Sequence, residues 1–406
     1  MEEKNSEKKE RKMRDSGIPW IGEVPEKWKV MKIGHCFRLK NEKNFLPENK
    51  VQLLSLYTGI GVFPTNSEKA KTSGNHAQTV NGYKIVHKND IVVNIILAWM
   101  GSIGVSDYDG VVSPAYDVYT PDLSKVIPRY AHYVFRTDGI AGECLKYGRG
   151  IMMMRWRTYS PEFKQIKIPF PSAEKQKEIA DILLKVVNII ENRKQELKKF
   201  DTLVKARFVE LFGNPVYNTN DLPIRSLNEL GNWASGGTPS RTVPEYFEGN
   251  IDWYSAGELN TLFLEGSVEK ITEEAIEKSA TKLFKAGSLL IGMYDTAAFK
   301  MGILKEDSAS NQACACITPN DEVNIIWLYY ELQMMKEYFL SQRRGVRQKN
   351  LNLGMIKAFK IPIAKRDQQD EFSDFVKQVD KSKVKVQKAL DETQKLFDSL
   401  MQQYFG

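Results

Sequence analysis

Residues 174–211 read EKQKEIADILLKVVNIIENRKQELKKFDTLVKARFVEL, 38 residues without a proline or a glycine. On a strict 4-3 spacing from Ile179 the series is Ile179, Leu183, Val186, Ile190, Arg193, Leu197, Phe200, Val204, Arg207 and Leu211. Eight of those ten positions are apolar, and Lys, Glu, Asp, Asn and Gln fill most of the positions between. So narrow a stripe is the seam of a coiled coil, because a helix lying on a globular core carries a broader apolar face. The ends are punctuated as helix ends. Pro171-Ser172 offers a break and a hydroxyl cap, and Gly213-Asn214-Pro215 stops the far end. At about 1.5 Å per residue the rod is roughly 55 Å long, well beyond an ordinary globular helix.

The rod recurs. A gapless shift of 193 residues lays Lys167-Ile168-Pro169 on Lys360-Ile361-Pro362 and gives eleven identities in 47 aligned positions, Gln176 on Gln369 among them. The shifted seam is Phe372, Val376, Val379, Lys383, Val386, Leu390, Thr393, Phe397, Leu400 and Tyr404, again eight apolar positions in ten. Two equal seams in one chain can satisfy each other. The segments before the rods match as well, at an offset of 198 that puts Asn89-Asp90 on Gly287-Ser288, Ala115 on Ala313 and Thr120-Pro121 on Thr318-Pro319. The order is therefore domain, rod, domain, rod. Parallel pairing would force the short linker 214–221 and the second domain to span a rod, so antiparallel pairing is expected, with a pseudo-twofold axis. The predicted fold class is α+β: two α/β domains separated by two long helices that pair as an antiparallel intramolecular coiled coil. The expected segments are a disordered charged arm at 1–15, a first domain at 16–168, a central helix at 169–213, a second domain at 214–361 and a final helix at 362–406.

Composition narrows the function. Lys and Arg number 58 against 51 Asp and Glu, a net charge of +7 with pI near 8.9, which favours a polyanionic partner. Cys36, Cys144, Cys314 and Cys316 follow no metal-ligand spacing, and Cys314 and Cys316 read as two residues of one buried strand. The longest uncharged run, 91–106, is broken by polar residues and glycines and falls short of a membrane span, and the N-terminus carries no apolar signal segment. A reduced, cytoplasmic protein without membrane contact is expected.

The chemistry-bearing stretches are basic loops. Tyr147-Gly148-Arg149-Gly150-Ile151-Met152-Met153-Met154-Arg155-Trp156-Arg157 precedes the first rod, and Gln342-Arg343-Arg344-Gly345-Val346-Arg347-Gln348-Lys349-Asn350 precedes the second. Phosphate neutralisation needs clustered Arg and Lys, and base reading uses Arg, Gln or Asn at close range. The bland alternative is a solvated basic surface, but a basic loop at the same place in both repeats favours nucleic acid; the Met triplet reads as core. The second half opens with Ser235-Gly236-Gly237-Thr238-Pro239-Ser240-Arg241, a loop that could cradle a phosphate on its backbone amides or be a plain turn. The candidate DNA-binding residues are Arg149, Arg155, Trp156, Arg157, Ser235, Gly236, Gly237, Thr238, Arg241, Arg343, Arg344, Arg347, Gln348 and Lys349. Short strands are expected at 51–56, 83–86, 91–96, 251–255 and 289–294, a short helix at 128–136, and Trp20 and Trp28 as anchors of the lead-in.

Catalytic signals are missing. The sequence has no Gly-x-x-x-x-Gly-Lys-Ser/Thr, no His-Glu-x-x-His and no Gly-x-Gly-x-x-Gly after a strand. All four histidines lie in the first half, which excludes a duplicated histidine site. Asn214-Pro215-Val216-Tyr217 comes within one residue of an adenine-methyltransferase motif, but it follows a helix stop instead of ending a buried strand. No catalytic residue and no metal site is assigned.

The residues resemble a known family, the specificity (S) subunits of type I restriction–modification systems. The resemblance rests on Ser16-Gly17-Ile18-Pro19-Trp20-Ile21-Gly22-Glu23-Val24-Pro25 with Trp28, on Gly110-Val111-Val112-Ser113-Pro114-Ala115-Tyr116, and on Ile168-Pro169-Phe170-Pro171 followed by Glu174-Lys175-Gln176. Gly236-Gly237-Thr238-Pro239-Ser240 and Ile361-Pro362 complete it. The Glu-Gln pair usual at the start of each rod is here Glu174-Lys175-Gln176 and Asp367-Gln368-Gln369. The resemblance implies that each half is a target recognition domain reading one part of a bipartite double-stranded DNA target. It implies that the rods set the separation and dock two methyltransferase (M) subunits, with restriction (R) subunits joining through the complex. S-adenosylmethionine, ATP and magnesium would sit on those partners, with no cofactor in this chain. Arg193, Arg207 and Lys383 would fix the register of the seam or face the M subunits. The alternatives are a non-catalytic coiled-coil scaffold and the recognition part of a single-chain restriction–methyltransferase.

Overall fold

The computed structural model describes residues 12–59, 61–65, 79–149, 156–342 and 350–405. It divides into two compact units, Met1–Asn192 with Leu390–Gly406, and Arg193–Ala389. The rods are two 40-residue helices, Ala173–Phe212 (first rod) and Arg366–Phe405 (second rod).

In the first unit a four-stranded antiparallel sheet forms from β1 (Phe37–Lys40), β2 (Ile91–Asn94), β3 (Ile103–Val105) and β4 (Tyr116–Pro121), in the order β1-β4-β2-β3. All four β2 residues are buried, as a central strand covered on both faces requires. A helix, Pro128–Val134, closes one side with Tyr130, Ala131, Tyr133 and Val134 in the core. Lys167–Phe170 pairs antiparallel with Lys29–Lys32, tying the chain just ahead of the rod to its own beginning. Ser172 then caps the first rod, its Oγ accepting from Lys175 N at 3.3 Å. Ile179, Ala180 and Leu183 share one core with the domain and with Phe397, Leu400, Met401, Tyr404 and Phe405. The start of the first rod thus packs on the end of the second.

The second unit repeats the plan. Its main sheet is β5 (Gly231–Ser235), β6 (Phe263–Leu264), β7 (Leu289–Gly292), β8 (Met301–Leu304) and β9 (Cys314–Pro319), in the order β5-β9-β7-β8-β6. Helix Ile325–Met334 stands where Pro128–Val134 stands, and Lys360–Pro362 pairs with Ile224–Ser226 ahead of the second rod. Val204, Phe208 and Phe212 pack with Phe372, Val376 and Val379, the end of the first rod on the start of the second. Start on end in one unit and end on start in the other makes the helices antiparallel. The fold class read from the seams holds.

Ile179, Leu183, Val186, Ile190, Val204, Phe372, Val376, Val379 and Leu390 are buried, and Leu197, Phe200, Leu211, Val386, Phe397, Leu400 and Tyr404 are half-buried. The polar seam residues cross between the helices. Arg193 donates to Ala389 O, Arg207 Nη2 reaches Glu371 Oε1 at 2.7 Å, and Lys383 Nζ reaches Asp201 Oδ1 at 2.7 Å. Such contacts define register more than stability, because exposed ion pairs are each worth at most about 1 kcal/mol. Gly213 ends the first rod at φ +74°, and a Cβ there would lie 2.3 Å from Thr219 Oγ1.

Each rod is clasped to its domain by one buried glutamine. Gln176 accepts from Ile127 N at 2.9 Å and donates to Lys125 O and Pro171 O, both at 3.1 Å. Gln369 accepts from Asn324 N at 2.8 Å and donates to Ala364 O at 2.8 Å and Glu322 O at 3.4 Å. Both side chains are wholly buried, and each one satisfies the chain that enters the domain's short helix.

One expectation needs correction. The charged arm was placed at 1–15, yet Met13–Asp15 forms a strand paired antiparallel with Glu23–Pro25. Local sequence explains it, since Gly17 and Gly22 take positive φ in the turn and Arg14 Nη2 reaches Trp28 O at 2.6 Å. Trp20 packs flat on Gly139, where a Cβ would come within 2.0 Å of the indole.

Candidate nucleic-acid interface

The first basic loop is held at its base. Arg149 and Arg157 exchange two backbone hydrogen bonds, each 3.1 Å. Thr158 then returns the chain to the fold, its N–H donating to Ile95 O at 2.9 Å and its buried Oγ1 to Cys144 O at 3.0 Å. Trp156 is half-buried against Gly148, and the Arg149 guanidinium, mostly exposed, lies 3.4 Å from Glu162. Arg155 and the Met152–Met154 triplet lie outside the described residues.

The chain that follows the second basic segment has the same anchor. Leu351, the counterpart of Thr158, is buried and donates to Met293 O at 2.9 Å, Met293 being the counterpart of Ile95. Arg343, Arg344, Arg347, Gln348 and Lys349 lie outside the described residues. In both halves the chain after the basic segment is therefore anchored at the far end of the central strand of the sheet, on Ile95 and Met293.

The glycine loop works differently from the phosphate cradle considered above. Gly236 N donates to Cys314 O at 3.1 Å and Gly237 N to Ser310 O at 2.9 Å, so neither amide is open to a ligand. Glycine is required there by crowding. A Cβ on Gly236 would sit 2.3 Å from Ser310 O and Asn311 O, and one on Gly237 would sit 2.5 Å from Ala280 O. Ser235 is half-buried in β5, while Thr238 is exposed and donates to Gln312. Arg241 lies over the Phe247 ring at 4.2 Å and near Trp253 at 5.3 Å, and its guanidinium forks onto both Glu269 oxygens. Hydrogen bonding to Glu269 raises the Arg241 pKa and lowers that of Glu269. A phosphate would compete with that carboxylate for Arg241.

The remaining motifs fall as structure. Asn214-Pro215-Val216-Tyr217 is a turn closed by Asn214 Oδ1 on Val216 N at 3.0 Å, with Tyr217 78% exposed, unlike a base pocket. The four thiols are buried and unbridged, and burial pushes Cys144, Cys314 and Cys316 up to about 12. Among the described residues no three His, Cys, Asp or Glu gather as a metal site, and no helix is long and apolar enough to cross a membrane. Sequence reasoning passed over Arg129, His132 and Arg136, which the fold brings beside the first rod. Gln176 and Gln369 were visible only as an identity.

Residues 25–199 and 220–393 each match the model of the type I restriction modification DNA specificity domain. The chain belongs to that family. A type I restriction enzyme specificity subunit of Escherichia coli is 24% identical over 276 residues, 64% of this chain and 65% of the relative's own length. The solved S subunit of the type I restriction–modification system of M. genitalium aligns with TM-score 0.57 at 16% identity, covering 93% of this chain and 96% of that one. A chain solved in a study of complex assembly and conformational transition of the type I system gives 0.58 at 16%, covering 94% and 98%. At those identities the structural likenesses speak for the fold.

Proposed function

We propose that the chain is the DNA-specificity subunit of a type I restriction–modification complex, a cytoplasmic recognition subunit without catalysis of its own. Each globular half reads one part of a bipartite double-stranded DNA target, and the rods set the separation between the parts. Two M subunits dock on the duplicated rods, because a repeated surface recruits partners in pairs. R subunits join through the complex, and S-adenosylmethionine, ATP and magnesium belong to those partners. The observation that carries this reading is the common seating of the two basic loops, Thr158 on Ile95 and Leu351 on Met293, in a chain of the specificity family. Arg149, Arg155, Trp156, Arg157, Arg343, Arg344, Arg347, Gln348 and Lys349 form the DNA-facing set, with Ser235, Gly236 and Gly237 shaping the loop that presents Thr238 and Arg241. The test is DNA binding by the chain with its cognate M subunit across a salt series. Recognition predicts a steep linear fall of log affinity with log salt, and Arg149→Ala with Arg157→Ala should reduce the slope by about one unit per lost phosphate contact. Assembly with M and no DNA affinity at any salt would favour the scaffold instead.

A further inference from the structure

The cleft between helix Pro128–Val134 and the first rod has a volume of about 520 Å³. Its floor is apolar, with Val105, Tyr133, Leu184 and Val187. Its rim carries four cations, Lys88, Arg129, Arg136 and Lys177, against two carboxylates, Asp107 and Asp181. None of the four cations has a carboxylate partner among the described residues. Arg136 is held in place, donating to Gly59 O and to His132 Nε2 at 3.0 Å. Burial, with Arg136 and Arg129 nearby, lowers His132 to about 4, so the ring is neutral at pH 7 and accepts that bond.

The corresponding positions of the second repeat carry three carboxylates against two lysines. The clasps fix the correspondence, because Ile127 and Asn324 donate to equivalent glutamines. Asn89 and Gly287 share positive φ, 76° and 82°. Ile326, Tyr329 and Gln333 then stand for Arg129, His132 and Arg136. On the rod, Asp370, Lys377 and Asp380 stand for Lys177, Leu184 and Val187 while Asp374 repeats Asp181, and Lys305 stands for Asp107.

We propose that the first cleft is a socket for an acidic segment of the M subunit that carries an apolar anchor, and that the second repeat lacks this socket. The proposal rests on the function proposed above and deepens it. The apolar floor favours a partner that brings an apolar side chain over a run of phosphates, and cations without carboxylate partners around it fit a carboxylate-bearing peptide. The cleft is also continuous with the rod, where M docks in that reading. Two identical M subunits would then bind one chain unequally, the first repeat filling before the second.

Native mass spectrometry of the full chain titrated with its cognate M subunit tests this. We expect a one-to-one species before the two-to-one complex, with dissociation constants at least tenfold apart and a gap that narrows as salt rises. Arg129→Glu with Lys177→Glu should abolish the gap by weakening the tight step. Asp374→Lys with Asp380→Lys, on exposed or half-exposed positions of the other repeat, should narrow it by strengthening the weak step. Equal constants in the unmodified chain, or both variants leaving the gap unchanged, would overturn the proposal and leave the specificity reading intact. Unchanged assembly with weakened DNA binding in Arg129→Glu/Lys177→Glu would also overturn it, as a phosphate site would behave so. If the unmodified chain bound no M subunit at all, the proposed function would fail and this inference with it.

Discussion

The two repeats agree where a domain grips its rod and differ where a domain faces outward. Gln176 and Gln369 make the same three kinds of hydrogen bond, and Thr158 and Leu351 return their loops to the same strand end. Away from those points exposed Arg136 answers to Gln333 and exposed Lys177 to Asp370, and one core position changes too, Val134 to Glu331. The clasp tolerates little change because its groups are buried and each has one geometry that satisfies it. Outward faces carry no such constraint and can take on separate targets. Diverged faces on a repeated frame suit a reader of an asymmetric site.

Five substitutions would break or sharpen that contrast. Gln176→Ala and Gln369→Ala each strand three backbone groups, one of them fully buried, and should cost about 4 kcal/mol in their own half, measured by urea unfolding. Equal losses would support equivalent clasps, and a loss in one half only would end the equivalence. Gly236→Ala forces a methyl against two carbonyl oxygens and should cost about 3 kcal/mol of second-half stability. A variant that kept full stability and lost only DNA affinity would restore the phosphate-cradle reading.

Glu331 is next. It is 1% exposed, its Oε1 has no hydrogen-bond partner among the described residues, and burial raises its pKa well above the carboxylate range. Stability tied to its neutral form is complete below the ordinary carboxyl pKa and is lost as pH rises toward the raised value. Glu331→Val, the residue of the first repeat, should therefore stabilise the second half by about 2 kcal/mol at neutral pH and do little at pH 4, by denaturation at both. The smallest effect belongs to Arg241→Ala. An exposed ion pair should change stability by less than about 1 kcal/mol, so DNA affinity is the informative readout there.

How much was legible follows from locality. The rods announce themselves because a seam is a short-range period, and the duplication fixed their pairing. The basic loops were visible as composition, and their common seating was not, since Ile95 and Met293 lie some way along the chain from Thr158 and Leu351. Arg241 looked free in sequence because Glu269 is 28 residues away. Gly236 and Gly237 suggested open amides, which the neighbouring strand takes up. The first cleft draws on residues near 88, 132 and 180, so no single window of sequence contains it.

The most direct measurement is methylome sequencing of a host expressing this chain with its cognate M subunit, beside a host expressing M alone. The account predicts methyladenine in a two-part motif with unspecified bases between, present only with the chain, and a change in one part alone when residues 222–347 are exchanged. Methylation unaffected by the chain, or confined to one continuous site, would contradict it.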